Sequence, residues 1–153
     1  MMNGDLGLTQ PERRDAVRNI DKVFVHCSAS SNPNITADDV DRWHKERGWN
    51  GIGYHYFIRT DGTVERGRSI YETPAAQKGH NTNTVAICLN GLRVEDFTEA
   101  QFLALNHLCD SLQDVFGDGI TFHGHKEVAA KACPVFDYIT VLSLDFEGHR
   151  NRE

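Results

Sequence analysis

Hydrophobic positions along the chain follow two rhythms: short runs rich in β-branched and aromatic residues, and one long stripe at helical spacing. KVFVHCSAS at 22–30 is a run of the first kind and predicts a central strand, closed by a loop of Ser, Asn and Pro. YHYFIRTDGTVERGR at 54–68 has β-rich arms around Asp61-Gly62, a pattern that predicts a hairpin. TVAICLNG at 84–91 and ITFHGH at 120–125 predict two further strands. The helical stripe is Phe102, Leu105, Leu108, Leu112, Val115 and Phe116, opened by a Thr98–Gln101 capping box and closed by Gly117. An earlier helix is capped by Thr36, carries Asp39 in its first turn and ends at Gly48. FDYITVLSL at 136–144 predicts a closing helix. The order β-α-β-β-β-α-β-α predicts a single α/β domain, a mixed central β-sheet flanked by helices. Residues 1–20 are polar and read as an N-terminal extension, with Gln10-Pro11 opening a short helix, ahead of a folded unit over 21–153.

Composition narrows the class. A chain of 153 residues with 39% hydrophobic and 25% charged residues fits one globular domain with a sizeable core. A net charge of −6 weighs against a protein held on nucleic acid or on an anionic membrane by bulk charge. The opening segment has no apolar run and carries Asp5, so it reads as no signal peptide, and synthesis in a reducing cytoplasm is expected. No segment approaches the roughly 18 apolar residues that a membrane helix needs. The four cysteines lack CxxC pairing; Cys88 and Cys109 sit in apolar patterns and read as buried free thiols.

The chemistry gathers at HKEVAAKACP, residues 125–134, where a histidine, an amine and a thiol share one loop that ends at a proline. Of the eight histidines, His44, His107 and His149 fall on helices or the tail and read as solvated or partly packed side chains. His26 is different, because it interrupts an apolar strand. A catalytic zinc takes three protein ligands and leaves a fourth position open. His26, His125 and Cys133 would supply such a set, with Lys131 beside it as an ammonium for a developing oxyanion. Tyr54, after Gly51 and Gly53, would present a hydroxyl to the same cleft. Each also has an ordinary reading: a satisfied core histidine, a surface lysine, a packed tyrosine.

Taken together, VFVHCSAS, RWHKERGWNGIGYHYFIRTDGTVERGR, HNTNTVAICLNG and HKEVAAKACPVFD resemble the successive motifs of the zinc N-acetylmuramoyl-L-alanine amidases. This is the superfamily of type 2 amidases and peptidoglycan recognition proteins, and the likeness is greatest to small phage lysozymes of amidase type. The resemblance implies zinc on His26, His125 and Cys133, with Tyr54 and Lys131 as catalytic residues. It implies hydrolysis of the amide between N-acetylmuramic acid and L-alanine in bacterial peptidoglycan by a monomeric phage endolysin. Such an enzyme is made in the host cytoplasm and acts on the wall after release. It also raises a non-catalytic peptidoglycan-binding role, a purely structural zinc site and a regulatory contact with a phage RNA polymerase. Two departures stand out. Ala76 occupies a place where relatives often carry a histidine, with His80 as the neighbouring substitute. FHGH supplies two histidines on one side of a strand; the spacing to Cys133 selects His125, with His123 the fallback.

Overall fold

A computed structural model of the chain describes residues 18–151, so the helix expected at Gln10-Pro11 lies outside the described residues. The strands are β1 (Lys22–Cys27), β2 (Tyr56–Ile58), β3 (Val64–Arg66), β4 (Thr84–Leu89) and β5 (Thr121–Gly124). They form one mixed sheet in the order β3-β2-β4-β1-β5. β1 pairs in parallel with β4 and β5, β2 runs parallel to β4, and only the β2–β3 hairpin is antiparallel. The hairpin turns at Gly62, whose φ of 91° suits a residue without a Cβ.

Helices cover both faces, which is why the central strand β4 is buried at every position. On one face Val23, Val25, Ile87, Leu89 and Phe122 pack against Leu105, Leu108, Cys109 and Leu112 of α2 (Glu99–Phe116) and Tyr138 and Leu142 of α3 (Tyr138–Leu142). On the other, Phe57 and Cys88 pack against Ala37 and Val40 of α1 (Ala37–Glu46). Both long helices start in capping boxes, Thr36 with Asp39 and Thr98 with Gln101. The expected mixed sheet between helices is therefore the observed one.

Three boundaries differ from expectation. β1 stops at Cys27, and Ala29 takes a φ of 62° that ends the extended run. α3 is shorter than 136–144, because Asp137 caps its start and Ser143 turns left-handed at its end. The packed unit also begins before Asp21. Ile20 is buried in the larger core, and Arg18 donates to the carbonyls of Ile70 and Thr84 at 3.1 and 3.0 Å.

A candidate metal centre at the strand ends

Side chains alternate along β1, so with Val25 and Cys27 in the α2-side core, His26 emerges on the α1 side. The parallel register pairs Val25 with Gly124. One step on, His26 on β1 and His125, just past the end of β5, lie side by side with ring centroids 4.5 Å apart. The chain then leaves β5 through a tight turn, His125–Glu127, and comes back as a loop. The Lys126 N–H donates to the Cys133 carbonyl at 2.7 Å, closing that loop. Phe136, packed on Phe97 and Phe102 with centroids 4.8 and 5.2 Å apart, anchors its far side. Cys133 Sγ thereby sits 3.8 Å from His26 Nδ1. Ligand atoms of His26, His125 and Cys133 all lie within 4.8 Å of one another, a group that closes at three side chains among the described residues.

Electrostatics suit a metal. Burial first, and the neighbouring His125 second, hold His26 down at about 3, so its imidazole is neutral at neutral pH. His125 is lowered too, by burial and then by the charge of Lys131. The Cys27 thiol is lowered to about 6 by the neighbouring Cys133 side chain, while Cys133 is raised by that same neighbour and by burial. The Cys27 backbone N–H donates to Cys133 Sγ at 3.2 Å, which opposes part of that rise.

Tyr54 and Lys131 flank this cluster. The Tyr54 ring lies 5.1 Å from that of His26, and burial pushes its phenol well above the ordinary range. Lys131 is exposed in the loop, and its charge reaches both imidazoles. The strand expected to begin at Tyr54 starts at Tyr56; Tyr54 belongs to the approach, where Ala75 packs so close to Gly53 that a Cβ there would strike its carbonyl.

Three other histidines lie around the cluster. His44 is buried, not solvated: its Nδ1 accepts from the Gly53 N–H at 2.9 Å and its ring backs Tyr54 at 5.6 Å. His123 is turned away, held by Thr121 Oγ1 at 2.7 Å and Glu127 Oε1 at 2.9 Å. His80 is exposed, and the side chain that touches the cluster from the 76–80 turn is Gln77, whose Oε1 lies 2.8 Å from His26 Nε2. Nothing in the motif spacing pointed to Gln77.

A mixed sheet with two neutral imidazoles and a thiol gathered at the strand ends, beside a tyrosine and a lysine, defines an α/β protein with a group of side chains that could hold a metal ion. The chain belongs to the N-acetylmuramoyl-L-alanine amidase family, whose model matches residues 16–136. It is 41% identical over 125 residues to an endolysin of Escherichia phage T7, a match covering 76% of this chain and 82% of that one. Among solved structures, the endolysin amidase LysCS from Clostridium intestinale superposes with a TM-score of 0.74 at 30% identity, covering 82% of this chain and 83% of that one. Drosophila PGRP-LB superposes with a TM-score of 0.65 at 26% identity, covering 86% and 85%.

Proposed function

We propose that the chain is a zinc-dependent phage endolysin that hydrolyses the amide between N-acetylmuramic acid and L-alanine in the peptidoglycan of its host. The observation that carries the zinc reading is the His26–His125–Cys133 group. Zinc–sulfur and zinc–nitrogen bonds of about 2.3 and 2.0–2.1 Å at a tetrahedral angle set nitrogen and sulfur about 3.6 Å apart. The 3.8 Å between His26 Nδ1 and Cys133 Sγ fits that span. Two neutral nitrogens and one thiolate make a catalytic donor set that leaves a coordination position for water or substrate. Bound there, zinc would supply a Lewis acid and a water acidic enough to attack at neutral pH.

The chain's own residues do the rest. His26 and His125 enter neutral, so neither has to lose a proton to serve as a ligand at neutral pH. Lys131 stands exposed at the mouth, where its ammonium stabilises the oxyanion that develops on the scissile carbonyl. Tyr54 keeps its proton, because burial raises its phenol, and so acts as a hydrogen-bond donor to the intermediate rather than as a base. The endolysin from phage T7 supports lysis of a host wall as the setting.

The test is metal content. Purified protein should carry about one zinc, and Cys133→Ser should lose most of it, since a hydroxyl is a poor substitute for a thiolate. Full zinc retention in Cys133→Ser would move the metal elsewhere.

A further inference from the structure

We propose that Gln77 is a positioning residue for zinc, its amide oxygen fixing His26 as the Nε2–H tautomer so that Nδ1 offers its lone pair to the metal. The inference rests on the zinc reading of His26, His125 and Cys133. It starts from the hydrogen bonds of a fully buried side chain. The Gln77 Nε2 donates to the His80 carbonyl at 3.2 Å and to Thr84 Oγ1 at 2.8 Å. A carbonyl can only accept, so the amide nitrogen must face His80. Thr84 Oγ1 is likewise oriented, because its proton goes to the Asn81 carbonyl at 2.8 Å. The amide oxygen is therefore the atom at 2.8 Å from His26 Nε2. An amide oxygen only accepts, so that ring nitrogen carries the hydrogen. In the neutral imidazole the other nitrogen, Nδ1, is then bare, and Nδ1 is the atom facing Cys133 Sγ at 3.8 Å.

The turn beneath Gln77 is itself held. Asn81 Oδ1 accepts from the backbone N–H groups of Ala76 and Gln77 at 3.1 and 2.9 Å, and the His80 N–H donates to the Gln77 carbonyl at 2.8 Å. The acceptor is thus held by the chain's own hydrogen bonds. Outer partners of this kind set the ring orientation of ligating histidines, and their loss costs about 10–100-fold in metal affinity.

Two measurements on the full chain decide it. In the metal-free wild-type protein, nitrogen-15 NMR of the imidazoles should show His26 as the Nε2–H tautomer; an Nδ1–H ring would overturn the proposal without any mutation. By competition with a chelator, Gln77→Met should bind zinc about 10–100-fold more weakly than wild type. Cys133→Ser serves as the control for the site. Weakened binding in Cys133→Ser with wild-type affinity in Gln77→Met would overturn the role of Gln77 alone. Wild-type affinity in both would overturn the zinc site beneath it. If Gln77→Met does not fold, the wild-type tautomer still decides.

Discussion

His123 on β5 and His125 just beyond its end stand two positions apart, yet their partners separate them. His123 stacks on Phe24 with centroids 5.4 Å apart and is bound by Thr121 and Glu127. His125 meets His26. His125→Ala should therefore lose zinc, whereas His123→Ala should keep it; metal analysis of the two proteins showing the reverse order would reject the assignment. The spacing from His125 to Cys133 carried this choice in the sequence, because a short loop ties the two together. What spacing could not reveal were side chains that act through others. His44 sits on the buried stripe of an amphipathic helix with Ala37 and Val40, although a lone histidine on a helix reads as a solvated or partly packed side chain. Gln77 lies in a turn without periodicity, and its role appears only once β1 and β4 bring Thr84 and His26 to it.

Elements explain why the cluster forms at all. The parallel β1–β5 pairing sets His26 level with His125, and the loop pinned at Lys126 and Phe136 returns Cys133 to them. Strand and helix types were legible because apolar runs and capping boxes are local signals. Their ends were less so, since Ala29, Asp137 and Ser143 act through backbone geometry. The packing of Ile20 and Arg18 was not legible for another reason: a single isoleucine and an arginine in a polar stretch carry no periodic pattern. With Ile20 buried and Arg18 bonded to two carbonyls, truncation to Asp21 should lower the thermal midpoint by several degrees. An unchanged melt would return residues 18–20 to the extension.

At the scale of the whole molecule, burial of neutral histidines gives the fold a pH dependence. Burial is the first cause that holds His26 at about 3 and both His44 and His55 at about 4. Unfolded, each returns to about 6.5 and takes up protons first as pH falls. The unfolded histidines bind more protons between about 4 and 6.5, so their contribution to the stability of the metal-free protein should be full above about 6.5 and fall steadily towards 4. Urea midpoints at several pH values check this, and a flat profile across that window would contradict it. No described helix is long and apolar enough to cross a membrane. The central claim concerns which bond is cut, since a glycosidase of the common kind would need paired carboxylates about a sugar linkage. Digestion of purified peptidoglycan should release new L-alanine amino groups with no matching rise in reducing sugar. Lys131→Ala and Tyr54→Phe should each lose much of that release while retaining zinc, because both act on the transition state and neither holds the metal. New reducing ends, or undiminished release by both variants, would contradict the account.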